Sequence, residues 1–333
     1  MARTTKSEKK EINNISAEAS TSTSPKSGKP KKDSSEIIEP KDVVTAIFNS
    51  LREEPLDDAD DIRNKIIKRY LKQTIKKHDI ANQYNLLILH DEGRMVKNDA
   101  DNIYAAATKF PEKKPILLIL YSDGGIIGSA YLISKLCREY SNGKFVIVVP
   151  RRAKSAATLL CCGSDEIHLG SLSELGPIDP QIGNLPALGL KNSVEHIADL
   201  IEKYPKASDM FAKYLHLSLQ PMHLGYFERV AESAVQYAER LLKTHTKNLK
   251  SEPSKIANDL VYSYKDHGFV IDAFEAREIF GDKIIKTNTD EYKLGNSLYN
   301  SLMFINNIAD VLKNAFYFIG SCDSDPNFVK KRN

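Results

Sequence analysis

The sequence predicts an α/β fold built on a parallel sheet, and three observations carry that prediction. Leu86–Leu89, Ile116–Tyr121 and Phe145–Val149 are short, continuously apolar runs of strand length. Segments with helical periodicity separate them. Strands that are apolar at every position are buried on both faces, as in a parallel sheet covered by helices. The third observation is composition: 333 residues at 41% hydrophobic and 27% charged can bury a sizeable core. Trp is absent, but 15 Tyr and 12 Phe supply large side chains.

Residues 1–38 are rich in Ser, Thr and Lys and poor in apolar side chains, so they are expected to be a disordered basic tail. Residues 39–82 form an N-terminal helical segment, running from Asp42 to about Lys77 with a break at Pro55. The acidic run Asp57, Asp58, Asp60, Asp61 lacks the central Gly and closing Glu of a calcium loop, so it reads as the start of a helix. Residues 83–205 are the expected α/β core. Its helices are Asp99–Phe110, a segment ending near Tyr140, and Ala156 to Cys162, and a further strand lies at Glu166–Leu169. Residues 206–333 read as a helical C-terminal extension. Helices are expected at Ala187–Tyr204, His223–His245, Pro253–Tyr264, Phe274–Phe280 and Asn296–Phe316, with an extended pair at Phe269–Ile271 and Lys283–Ile285.

Composition excludes several classes. No run approaches the ~20 apolar residues of a membrane-spanning helix, and the N-terminus lacks the apolar core of a secretory signal. The tail holds eight Lys/Arg against five Asp/Glu, and the other residues hold 39 of each sign. A neutral folded part does not suit nucleic acid, so no nucleic-acid partner is expected. Cys137, Cys161, Cys162 and Cys322 form neither a disulfide framework nor a CxxC metal motif, which fits reduced thiols in a cytoplasm.

Two strand ends carry the residues suited to chemistry. After Ile116–Tyr121 comes Ser122-Asp123-Gly124-Gly125, and after Phe145–Val149 comes Arg151-Arg152-Ala153-Lys154-Ser155-Ala156-Ala157. In open α/β sheets, sites lie at the C-terminal ends of strands. Glycine turns can aim N–H groups outward, and a serine beside such amides has the parts of a nucleophile with an oxyanion hole. Ser155 also suits a plain helix N-cap. The Gly124-Gly125-x-x-Gly128 turn has a rival reading as a dinucleotide cradle with Arg151-Arg152 on a 2′-phosphate. Asp123 occupies that motif's first glycine position and would bring negative charge to a pyrophosphate.

The run Leu118 to Gly125, then Val148-Val149-Pro150, then Lys154-Ser155-Ala156-Ala157-Thr158-Leu159, resembles the crotonase-like serine peptidases. These include the proteolytic subunit of the Clp protease and signal peptide peptidase A. The continuation from Ser164 to Gly170, and from Leu175-Gly176-Pro177-Ile178-Asp179-Pro180 to Gln181, is most similar to the serine dehydrogenase proteinase family. The resemblance covers roughly residues 83–200. It implies a crotonase-like fold, Ser155 as nucleophile, and an oxyanion hole at Gly124, Gly125 and Ala156. It also implies peptide or protein substrates, a homo-oligomer, and no cofactor or metal.

The sequence departs from the Clp pattern at the base. The Clp-type histidine position is Pro180, next to Asp179, while His168 and His196 lie off the motif. The peptidase A branch uses a lysine, which requires a desolvated amine. Lys191, with Leu188 and Leu190 beside it, is the sequence's candidate, and Lys154 should point away from its neighbour Ser155. Without a base the chain would be a non-catalytic scaffold. Cys161 and Cys162 read as packing residues, His223–His245 as an amphipathic core or oligomer helix, and Asp266-His267-Gly268-Phe269 as a turn.

Overall fold

The computed structural model describes residues 37–331 apart from 53, 56, 183–184 and 219–220. The tail expectation therefore falls almost wholly outside the described residues. Two helices open the fold, α1 (Pro40–Leu51) and α2 (Ala59–Ile75). Pro40 starts α1, where its missing N–H costs nothing, and Asp60 and Asp61 sit in the first turn of α2. Ala59, Arg63, Ile67 and Leu71 recur every fourth position and form the buried stripe of α2.

The core then alternates as expected. In order come β1 (Asn85–Asp91), α3 (Lys97–Ala107), β2 (Ile116–Ser122), α4 (Ile127–Tyr140) and β3 (Phe145–Val149). The two-residue β4 (Arg152–Ala153), α5 (Ala156–Cys161), β5 (Glu166–Leu169) and the two-residue β6 (Glu174–Leu175) follow. A small hairpin, β7 (Gln181–Ile182) and β8 (Leu185–Pro186), leads into α6 (Ala187–Lys203), α7 (Ser208–Ser218) and α8 (Pro221–Leu242). The chain closes with α9 (Pro253–Tyr262), α10 (Ala273–Phe280), β9 (Ile285–Thr287), α11 (Asp290–Val311), β10 (Asn314–Gly320) and β11 (Asn327–Lys330).

The main sheet has the order β11-β10-β1-β2-β3-β5-β9. The strands from β1 to β9 run parallel, and β10 and β11 are antiparallel additions at one side. Alternation within each strand divides the core in two. Leu87, Leu89, Leu118, Leu120, Ile147 and Val149 pack on the face covered by α3, α4, α5 and α8 to α10. Leu86, Ile88, Leu117, Ile119, Val146 and Val148 pack on the other face, under α1, α2 and α11. Burial on both faces is why these strands read as unbroken apolar runs.

The C-terminal region differs from the sequence reading in three ways. The expected helix Asn296–Phe316 ends at Val311, and Asn314–Gly320 is a strand paired with β1. The segments Phe269–Ile271 and Lys283–Ile285 are not partners: Ile271 bridges Leu175, and Ile285 pairs with Ile167 of β5. The extension is therefore not only helical, because it adds three strands to the sheet. The described residues form one compact unit.

Candidate active site

The C-terminal ends of β1, β2 and the β3–β4 connection meet at one place. Ala153 of β4 pairs with Ser122 at the end of β2, and Lys154 N–H donates to the Ser122 carbonyl at 3.0 Å. This seats Ser155 against the glycine turn. A Cβ on Gly124 would lie 2.7 Å from the Lys154 carbonyl oxygen and 2.9 Å from Ser155 Cβ, so only glycine fits. Gly124 and Gly125 have φ of +100° and +148°.

Ser155 itself has φ +51° and ψ −117°, a region costly for a residue with a side chain. It occupies the N-cap position of α5, yet its hydroxyl makes no capping hydrogen bond. The plain N-cap reading therefore loses its reason: the strained backbone presents the hydroxyl outward. It opens into a cavity of about 800 Å³ lined also by Glu92, Arg94, Asp123, Gly125, Gln181 and His267.

Two backbone donors stand at this turn. Met95 N–H donates to the Gly124 carbonyl at 2.8 Å, and Ile126 N–H donates to the Met95 carbonyl at 2.9 Å. In an extended chain, the Gly125 N–H between them turns away from Met95. Among the described residues, neither Gly125 N–H nor Ala156 N–H has a protein acceptor. Gly124 N–H is occupied, donating to Ser122 Oγ at 3.1 Å. Gly124 thus supplies the turn, whereas Gly125 and Ala156 supply the free donors.

The charges beside the turn are paired. Arg152 grips Asp123 through Nε and through Nη2, the latter at 3.1 Å, and lies 4.8 Å over the Tyr121 ring. Arg151 donates to Asn296 Oδ1 at 2.8 Å and lies over Tyr299. Both guanidinium groups are engaged within the protein, which removes the basis for the dinucleotide reading.

The lysines fall apart from the serine. Lys154 points away, as expected from its adjacency; its amine is 3.1 Å from Glu174 and donates to the Leu175 and Phe269 carbonyls. Lys191 is 52% exposed on α6, with its amine 3.9 Å from Glu228, and it does not line the cavity. The side chains of Leu188 and Leu190 lie outside the described residues. His196 is exposed, and buried His168 is held by Thr289 and Glu166. Cys161 and Cys162 are buried free thiols, and burial pushes Cys162 up to about 12.

The structure also brings up two residues that the sequence placed elsewhere. The backbone exchange between Leu175 and Ile271, at 2.9 and 3.0 Å, draws the Asp266–Phe269 turn to the cavity. His267 Nδ1 there lies 3.6 Å from Asp179 Oδ2, and the Gln181 side-chain nitrogen is 2.8 Å from that same oxygen. The Asp266-His267-Gly268 turn was visible in the sequence, but nothing local connects it to Asp179.

Beneath the site, His90 is 2% exposed and stacks on Tyr121 at 4.9 Å, with both ring nitrogens buried and lacking a partner among the described residues. Burial, aided by Arg152, lowers its pKa from 6.5 to about 3. The unfolded chain therefore binds this proton first as pH falls. Stability present above pH 6.5 should drain away toward pH 3, on the order of 3 kcal/mol by pH 4. Thermal melts from pH 7 to 4 should show a smaller fall in Tm for His90→Phe than for the unaltered chain, and equal falls would disprove this role.

A parallel sheet with a serine on a positive-φ turn, set against a glycine turn at the next strand end, defines a crotonase-like α/β protein. Residues 85–206, a little over a third of the chain, match the family model described as ClpP-like SDH-type serine proteinase. The chain is 34% identical over 97 residues to the uncharacterized protein MJ0137 of Methanocaldococcus jannaschii, covering 29% of this chain and 34% of that protein. It is 33% identical over 92 residues to the uncharacterized protein MJ1495 of the same organism, covering 28% and 31%. The matches thus span about a third of the length of these curated relatives. Two structures of the 1510-N membrane-bound stomatin-specific protease are also similar. One, a variant in complex with a substrate peptide, has TM-score 0.40 and 13% identity over 63% of this chain and 78% of that one. The other has TM-score 0.39 and 12% identity over 75% and 97%. Among the described residues, no helix is long and apolar enough to cross a membrane.

Proposed function

We propose that this chain is a serine peptidase that cleaves peptide bonds through an acyl-enzyme on Ser155. The observation that carries the reading is Ser155 held at φ +51° against Gly124, with its hydroxyl uncapped and facing the cavity. Ser155 Oγ attacks the substrate carbonyl carbon. The Gly125 and Ala156 N–H groups, free of protein acceptors among the described residues, receive the developing oxyanion. Lys191 is not carried forward as the base, because its half-exposed amine lies beside Glu228 and outside the cavity that Ser155 lines. The test is labelling with a fluorophosphonate followed by peptide mapping. A single adduct on Ser155 supports the reading, and an unlabelled Ser155 in folded protein overturns it.

The same reading includes peptide or protein substrates, a cytoplasmic location supported by the free thiols, and neither a membrane nor a nucleic-acid partner. It also includes a homo-oligomer. Met210, Tyr214 and Leu217 project from α7 at 60%, 59% and 85% exposure, an apolar stripe that a second copy would cover. Light scattering should therefore give a mass that is a multiple of 37.3 kDa at micromolar concentration. A species of monomer mass throughout that range would exclude assembly.

A further inference from the structure

We propose that His267, oriented by Asp179, is the general base that activates Ser155; this rests on the reading of Ser155 as the nucleophile. Three observations converge. His267 and Ser155 line the same cavity, so one bound substrate can touch both. Asp179 is 8% exposed, and its Oδ1 has no hydrogen-bond partner among the described residues. A carboxylate oxygen buried without a donor is costly, and such sites persist where a partner is supplied in use. Finally, His267 Nδ1 stands 3.6 Å from Asp179 Oδ2, while the Gln181 side-chain nitrogen reaches both that oxygen, at 2.8 Å, and Nδ1, at 3.2 Å.

With the Gln181 nitrogen donating to Nδ1, the ring proton sits on Nε2. The base is the other tautomer: Gln181 keeps its bond to Asp179 Oδ2, Nδ1–H turns to the carboxylate, and the Nε2 lone pair is free to accept. The 3.6 Å separation is longer than a hydrogen bond and closes when substrate fills the cavity, as catalytic contacts do between the free and occupied states. The chain order is Ser155, Asp179, His267, unlike the Clp-type placement of histidine at the position of Pro180. A triad is defined by geometry and roles, and its order along the chain is free. Lys154 contributes indirectly: its amine donates to the Phe269 carbonyl at 3.2 Å and to the Leu175 carbonyl at 3.3 Å, tying the His267 turn and β6 to the residue next to Ser155.

The proton balance is as follows. Ser155 Oγ bonds to the carbonyl carbon as its proton passes to His267 Nε2. The imidazolium returns that proton to the leaving amine as the C–N bond breaks, giving the acyl-enzyme. Water then attacks the ester, giving its proton to Nε2. The proton passes back to Ser155 Oγ as the ester bond breaks and the free acid leaves.

The test is fluorophosphonate inactivation at pH 8, read as the maximal rate and the half-saturating concentration separately. His267→Gln and His267→Ala should each lower the maximal rate by at least ~10²-fold at an unchanged half-saturating concentration. Imidazole added to the alanine variant should restore part of the rate, which a structural role would not allow. Asp179→Asn should lower the maximal rate by at least ~10-fold, again without change in half-saturation. Melting temperatures confirm that each variant is folded. Near-normal inactivation of folded His267→Ala overturns the proposal, as does a loss confined to Lys191→Met. If the unaltered chain shows no labelling at all, it is the nucleophile that fails.

Discussion

Ser155→Ala is expected to abolish fluorophosphonate labelling and to lower peptide turnover by several orders of magnitude, with the fold intact. The hydroxyl makes no capping bond, so its removal breaks no intramolecular hydrogen bond at the start of α5. Alanine bears the same positive-φ strain as serine, so stability should change by less than about 1 kcal/mol. Ser155→Gly sharpens the test. Strain at such a residue costs about 1–3 kcal/mol, and glycine relieves it while adding about 0.5–1 kcal/mol of unfolded-state entropy. The glycine variant should therefore be at least as stable as the unaltered chain and equally dead. A rise in Tm with loss of labelling is the signature of strain kept for chemistry. Full turnover in either variant would show that Ser155 is not the nucleophile.

How much of this was legible in the sequence depends on how local each signal is. β1, β2, β3 and β5 were readable because burial on both faces leaves few polar residues to break the run. β10 was not. The apolar spacing of α11 continues without pause into Phe316, Phe318 and Ile319, and the turn between them is made by Lys313 at φ +57°. A lysine in the left-handed region gives no stop signal of the kind a glycine provides. β4 and β6 are two residues each, too short to show a period, yet they set Ser155 and Asp179 in place. The glycine turn and the serine could be read because both lie within a few residues of strand ends. His267 and Asp179 could not be joined, since 88 positions separate them and long-range contacts such as the Leu175–Ile271 exchange bring them together. Lys191 illustrates the converse: proximity to the loop in sequence left its amine on the exposed side of α6.

Gly125→Ala should also damage turnover, less than the loss of Ser155 and by a separable route. Gly125 has φ +148°, and a Cβ there would lie 2.8 Å from Met95 Cα and within 3 Å of the Met95 backbone nitrogen and oxygen. Those atoms are backbone and belong to a bridge between Met95 and Gly125, so neither partner can rotate aside as a side chain would. The added methyl must push the turn away from residue 95. That shift breaks the hydrogen bonds from Met95 N–H to Gly124 and from Ile126 N–H to Met95, which aim the Gly125 N–H. The expected costs are about 2–4 kcal/mol of stability, from strain and lost bonds, and ~10²–10³-fold in turnover from one misplaced oxyanion donor. The serine and its base keep their chemistry, so the two effects can be told apart. A fluorophosphonate should still label the variant, but more slowly, and a transition-state analogue should lose more affinity than a ground-state peptide. If the folded variant binds both equally well and turns over normally, Gly125 is a structural hinge and the oxyanion is received elsewhere.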